Sequence, residues 1–227
     1  QPAEFAKFAT ALAFSKFMSS YGFNIHRMKD FFAAAFIIIL PMICIVGQRE
    51  TGSALVYSAF FLMFYREGMP GSILFTAVAM VVYFVVGVKY ENVMMWDGQT
   101  SVGDFVVLLL VQIFSTGMVS NYIHNGRQTV QMLLYTVGIT LGCMLFSVYV
   151  IPFDVTYVQL IVSFVLIGFL FYQGLSSRIR NYYFIALFAL GSLAFFYSAD
   201  YVLNNVMEPH QRVRINVLLG LEEDLAG

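Results

Sequence analysis

The 227-residue chain is 60% hydrophobic and 17% aromatic but only 11% charged, with a net charge of −1. Soluble domains carry about 25% charged residues, so the polar side chains needed to coat a water-facing surface are missing. A disordered chain, a nucleic-acid binder and an ordinary soluble enzyme are excluded, and an all-α, polytopic transmembrane bundle is predicted.

A bilayer-spanning helix needs about 20 mostly apolar residues. Taken in chain order, a first run over 3–20 is apolar but carries Glu4, Lys7 and Lys16. Seven firmer runs follow: 30–48, 51–68, 70–90, 102–123, 127–150, 155–174 and 180–206. Together they fill most of the chain, so a single transmembrane domain over 1–227 is expected, with short connections and antiparallel neighbours. The runs are continuous, unlike the alternating segments of a barrel. Pro41 falls inside a run and should kink its helix, which neighbouring helices can accommodate. Gln48-Arg49-Glu50, Pro70-Gly71, Asp97-Gly98-Gln99 and Asn125-Gly126 read as the punctuation between helices.

Alternate loops hold Arg27, Lys29, Arg66, Arg127, Arg178 and Arg180 on one side of the membrane, six basic residues in all. The other side holds Lys7, Arg49, Lys89, Arg212 and Arg214, of which the last two lie in a tail. The positive-inside rule then puts Arg27, Arg127 and Arg178 in the cytoplasm. Cys44 and Cys143 sit in apolar runs and read as small core residues. No charged region precedes a short apolar stretch, so no signal peptide is expected. A chain that starts at Gln1 rather than Met reads as cut from something longer.

Charges at membrane depth are costly and therefore candidates for function. Glu4 and Lys7, three residues apart, share one helix face. The plain reading is a salt bridge that lowers the cost of burying both; the functional one is a cavity wall in which Lys7 meets a phosphate. Lys16 is expected to snorkel to the interface. In the turn Gln48-Arg49-Glu50-Thr51-Gly52-Ser53, Thr51 or Ser53 can cap the following helix and Glu50 suits its positive end. The same helix end, with Gly52 permitting close approach, could hold a polar or anionic headgroup. Asp104 and Asp200 lie near helix ends and read as interfacial. His26, His124 and His210 fall in separate loops without ligand spacing, so no metal site is expected. No cofactor signature is readable, and the residues neither require nor exclude a divalent cation.

Three stretches, in order and each at a helix boundary, carry a resemblance. Gln1-Pro2-Ala3-Glu4-Phe5-Ala6-Lys7 resembles the Gln-Pro-Ser-Glu-x-x-Lys signature of the SEDS family, which includes RodA and FtsW. Gln48-Arg49-Glu50-Thr51-Gly52-Ser53-Ala54-Leu55 is similar to its Gln-Pro-Asp-Leu-Gly-Thr-Ala-Leu, with departures at Arg49 and Thr51. His210-Gln211-Arg212-Val213-Arg214-Ile215, followed by Asp224, resembles its Tyr-Gln-Arg-x-Arg-Ile stretch. The RodA branch fits better than the FtsW branch.

The resemblance implies a glycosyltransferase of the bacterial cytoplasmic membrane that polymerises lipid II, a polyprenyl-pyrophosphate-linked disaccharide peptide, into glycan strands for cell-wall elongation. It implies a class B penicillin-binding protein as partner and places Glu4, Gln48 and Arg212 outside. It further implies that Lys7 supplies cavity electrostatics near the pyrophosphate and that Glu4 orients Lys7. Gln48, Glu50 and Gly52 would shape an outer vestibule, and Arg212 and Arg214 would make contacts in the extracellular loop. The family has one helix between the second motif's helix and the third motif, whereas five runs, 70–90 through 180–206, lie there in this chain. Four extra helices keep the tail on the same side. The family's catalytic Asp, in a Thr-Asp-Phe-Ile-Phe-Ala motif, has no counterpart in 1–227, so no catalytic residue is assigned and the chain by itself is expected to be inactive, the middle of a longer protein. A lipid-precursor flippase or other transporter, and a non-catalytic membrane scaffold, are the alternatives.

Overall fold

The structure is a computed structural model, and it describes residues 2–47, 56–57 and 59–203 together with positions 213, 215 and 217. Among the described residues there are eight helices: α1 (Pro2–Met18), α2 (Met28–Gly47), α3 (Ala59–Arg66), α4 (Gly71–Tyr90), α5 (Val102–Ile123), α6 (Gly126–Tyr149), α7 (Val155–Ser177) and α8 (Arg180–Tyr201). Six of them, α2 and α4 to α8, are long and apolar enough to cross a membrane. The chain is therefore an all-α, multi-pass membrane protein. The helix expected over 51–68 is described only from Ala59 to Arg66 in its regular part, and the helix expected over 180–206 ends at Tyr201. Helix α7 runs three residues past the apolar run 155–174, because Leu175, Ser176 and Ser177 complete a last turn before Arg178 turns left-handed at φ 54°.

The chain divides into two compact units, Gln1–Val78 and Ala79–Gly227, with the division falling inside α4. In the first unit α1 packs on α2. Its core gathers Phe14, Ala34, Ile38, Tyr57 and Phe64, all buried. Aromatic edges lock α1 to α3: the Phe14 ring lies 5.0 Å from that of Phe64 and 5.8 Å from that of Phe60, both edge to face, the arrangement aromatic quadrupoles favour. Pro41 lies within α2, as its place in the sequence requires. The turn before α2 is held by Asn24, whose side chain accepts from the His26 amide at 3.0 Å and whose amide donates to Asp30 Oδ2 at 3.1 Å. His26 thus has a place in a turn.

In the second unit α5 is the central helix, packed against α6, α7 and α8. Leu108, Val111, Leu170, Ile185 and Ala189 form the middle of its core. A polar seam joins α5 to α7. The Gln112 side-chain amide donates to Ser163 Oγ at 3.0 Å and to the Gln159 carbonyl at 3.2 Å, and the Gln159 amide donates to the Phe105 carbonyl at 3.2 Å. Both glutamines are fully buried. Such interhelical bonds average about 0.6 kcal/mol in a bilayer, and the side-chain carbonyl oxygen of each glutamine lacks a partner, so the seam fixes register more than it adds stability. Ser115, Thr116, Thr136 and Thr140 instead return their hydroxyls to carbonyls four residues back; in helices this satisfies the hydroxyl internally.

The connections are tight and capped. Asn125 caps α6 by accepting from the Gln128 amide, and Asp154 caps α7 by accepting from the Thr156 amide. His124 ends α5 in the left-handed region at φ 59°, leaving a two-residue turn before α6. His124 is therefore a turn residue.

Candidate functional site

Helix α1 opens with Pro2, a residue suited to a first helical position, where no amide hydrogen is needed. Glu4 follows in the first turn, where the helix dipole favours a carboxylate. One turn on, Lys7 Nζ donates to Glu4 Oε1 at 2.6 Å. The lysine is the more covered partner, its side chain 18% exposed against 59% for Glu4. The salt bridge expected from their spacing is present. It uses one of the three ammonium hydrogens and leaves two that can donate to an anionic oxygen.

The same helix face continues to Thr10, three residues further. Thr10 is buried, returns its hydroxyl to the Ala6 carbonyl at 2.7 Å, and lies 3.4 Å from the hydroxyl of Tyr57. Tyr57 is fully buried and stands two residues beyond Leu55, the last residue of the second motif. The helix that carries the first motif and the segment that leaves the second are thus in contact. Neither Thr10 nor Tyr57 stands out in the sequence, since a hydroxyl in an apolar run has no charge to mark it. Gln48, Glu50 and Gly52, like Arg49, Thr51 and Ser53, lie outside the described residues, as do Arg212 and Arg214. Of the expected site residues, the structure therefore brings together Glu4 and Lys7.

A second concentration of polar groups lies at one end of the second unit. Asp104 and Asp200, read as interfacial, line a narrow cleft with Glu91, Gly87 and Phe196. Its volume is about 20 Å³, room for little more than one water molecule, so it is no sugar site. Among the described residues no group of three or more His, Cys, Asp and Glu side chains is placed to hold a metal ion. What draws the carboxylates together is a close approach of backbones: Gly103 in α5 faces the Gly87 carbonyl of α4.

At the same end a polar clasp ties the α4–α5 loop to the start of α7. Asp97 accepts from the Gln99 and Thr100 amides at 3.1 and 3.0 Å and from the Thr100 hydroxyl. Thr100 Oγ1 in turn accepts from the Val155 amide at 3.0 Å. The Ser147 hydroxyl lies 2.7 Å from the Phe153 carbonyl and 3.3 Å from Asp97 Oδ2, its one proton serving both. Burial pushes the Asp97 carboxyl up, but these bonds to the charged form outweigh it and hold the group below its ordinary value. A depressed carboxylate stabilises the fold above its unfolded pKa, about 3.9, and that stabilisation is lost as pH falls through the lower folded value. The thermal midpoint of the wild type should therefore exceed that of Asp97→Asn at pH 6, with the gap closing below about pH 3.9. A gap that stays constant down to pH 3 would mean that the charge on Asp97 contributes nothing.

Residues 1–106 match the family model of FtsW, RodA and SpoVE, described as a cell cycle protein. The match takes in α1 to α4, the clasp loop and Asp104, and includes 70–90, the first of the five helices between the second and third motifs. The chain is also 28% identical over 149 residues to the peptidoglycan glycosyltransferase RodA of Treponema pallidum. That similarity covers 61% of the chain and 34% of the relative, so the chain spans about a third of the relative's length. No solved structure matches. The Glu4–Lys7 pair and the Thr10–Tyr57 contact both lie inside the residues that are similar to the FtsW/RodA/SpoVE, or SEDS, family.

Proposed function

We propose that the chain is part of a RodA-like peptidoglycan glycosyltransferase of the bacterial cytoplasmic membrane, and that it binds the pyrophosphate of lipid II through Lys7. In this reading the 4-hydroxyl of the acceptor sugar attacks the anomeric carbon of the donor. The new glycosidic C–O bond forms as the bond to the polyprenyl pyrophosphate breaks. The hydroxyl proton passes to a carboxylate base, and the departing pyrophosphate takes up the negative charge. An ammonium group aimed at that charge stabilises it as it develops. The single observation that carries the reading is the half-covered ion pair of Lys7 with Glu4 at the start of α1, inside the stretch matched to the family. Glu4 holds Lys7 in place. Gln48, Glu50 and Gly52 shape the outer vestibule, Arg212 and Arg214 contact the substrate or partner in the extracellular loop, and a class B penicillin-binding protein supplies the transpeptidase. The two motif loops and the tail face outside, and the loops with Arg27, Arg127 and Arg178 face the cytoplasm.

The transporter alternative needs ionisable groups along a route through the membrane. In α4 to α8 the charged residues are Lys89, Asp104, Arg127, Arg180 and Asp200, each within a turn of a helix end. That distribution favours the polymerase. The test is a gel assay for glycan strands with labelled lipid II, using the longest natural protein that contains these residues and, beside it, residues 1–227 alone. The longer protein should yield a ladder of strands and the 227 residues none. No ladder from the longer protein overturns the function, and a ladder from residues 1–227 would move the base into them.

A further inference from the structure

The charge of the second unit is divided between its two ends. Among the described residues, Glu91, Asp97, Asp104, Asp154 and Asp200 lie at one end, with Lys89 as the basic residue there. At the other, the α5–α6 and α7–α8 turns carry Arg127, Arg178 and Arg180, all exposed, and no acidic residue. The two basic turns are tied to one another. Asn181 donates to the Tyr122 carbonyl at 3.0 Å, and the Tyr182 hydroxyl donates to Gln128 Oε1 at 2.7 Å. Three guanidinium groups are thus carried on a braced platform, and among the described residues none of them has an ion-pair partner.

A groove of about 500 Å³ starts at this platform and runs between α6 and α7. The volume is in the range of about 300–1,000 Å³ typical of small-molecule sites. On α6 its lining passes from Gln128 and Gln131, next to Arg127, through Tyr135 to Ile139, and on α7 it is apolar throughout, with Val165 and Phe169. Tyr135, Ile139 and Val165 are exposed along it, so it opens sideways, where a bilayer would be. The groove thus begins at Gln128, the chain neighbour of Arg127 and the acceptor of the Tyr182 hydroxyl that braces the basic turns, and passes from amide and hydroxyl groups into an apolar channel, an order that suits one molecule: an anionic headgroup, an ester region and a hydrocarbon chain.

We propose that the α6–α7 groove binds an anionic glycerophospholipid, its phosphate against Arg127, Arg178 and Arg180 and one acyl chain along Tyr135, Ile139 and Val165. The site is separate from the lipid II reading and does not depend on it. A second apolar groove, between α7 and α8 and lined by Leu160, Phe164, Leu190 and Tyr197, has a similar volume of about 440 Å³, but none of its lining residues adjoins a basic turn. It serves as the internal contrast, since apolar volume alone would treat both grooves alike.

The experiment is native mass spectrometry of the purified chain with phosphatidylglycerol and phosphatidylcholine of identical acyl chains, supplied together. The chain should retain phosphatidylglycerol at least tenfold better, and retention should fall about fivefold for each arginine replaced in Arg127→Gln, Arg178→Gln and Arg180→Gln. Phosphatidylcholine retention should not change in those variants. Ile139→Trp and, separately, Val165→Trp should fill the groove and remove the preferred adduct. Both positions are exposed, so a larger side chain there leaves the core untouched, and elution as a single folded species verifies it. Leu190→Trp, in the contrast groove, should leave the preference intact. Equal retention of the two lipids overturns the proposal, as does a preference that survives both tryptophan variants. Dimer masses abolished by the same variants would also overturn it, by making the groove a seam between two copies.

Discussion

In the longer protein that contains these residues, Lys7→Ala should lower lipid II polymerisation by about 10²–10³, the scale of losing one preorganised group from a developing negative charge, while the amount of folded protein stays nearly unchanged. The two effects separate because of where the pair lies. Glu4 is mostly exposed although the Lys7 side chain is largely covered, and an ion pair with one partner open to water is worth about 0–1 kcal/mol of stability. Losing it leaves the core of the first unit, around Phe14, Ile38 and Phe64, intact. Glu4→Gln is the informative companion. It keeps a hydrogen-bond acceptor for Lys7 but removes the countercharge, so folding should survive and activity should fall less than in Lys7→Ala. Strand synthesis on the gel and thermal unfolding of the same preparations give the two readings. Normal polymerisation by the purified Lys7→Ala protein would remove Lys7 from the site.

The spans were legible because bilayer thickness and capping chemistry both leave marks in the sequence. The run 102–123 coincides with α5, and Asn125 and Asp154 cap the two helices that follow the next turns. The inner faces were not legible. A helix in a membrane is apolar all round, so hydrophobic periodicity does not tell its buried side from its lipid side. The buried side is marked instead by small and hydrogen-bonding residues: Gln112, Ser115, Thr116, Gln159, Ser163 and Ser192 are all buried. A search for charges passes over them. Of the candidate site, the Glu4–Lys7 pair was readable because it is local to one helix, whereas the Thr10–Tyr57 contact closes over 47 positions. The same holds for the acidic cleft. Asp104 and Asp200 are individually interfacial, and only the packing of α5 on α8 and of Gly103 against Gly87 gathers them with Glu91.

That packing sets the largest stability effect expected in the second unit, at Gly103. A Cβ on residue 103 would stand 2.7 Å from the Gly87 carbonyl oxygen and 3.1 Å from both the Glu91 nitrogen and the Tyr90 carbonyl carbon. All three are backbone atoms, which cannot rotate away as a flexible side chain would, so α4 and α5 must separate. Overpacking of this kind costs about 1–3 kcal/mol, and a bulkier residue such as leucine should cost more. The control is Gly117 on the same helix, which is exposed and would present its Cβ to open space; alanine there should be neutral or slightly stabilising, since glycine is a poor helix former. For a protein of this size 1 kcal/mol moves the thermal midpoint by about 2–4 °C. Gly103→Ala should therefore melt several degrees below the wild type in detergent, and Gly117→Ala at or above it. Equal midpoints for the two variants would mean that the backbones at Gly87 and Gly103 are not in contact. The junction would then not be what gathers Glu91, Asp104 and Asp200 around one cleft, and the charge division of the second unit would need another origin.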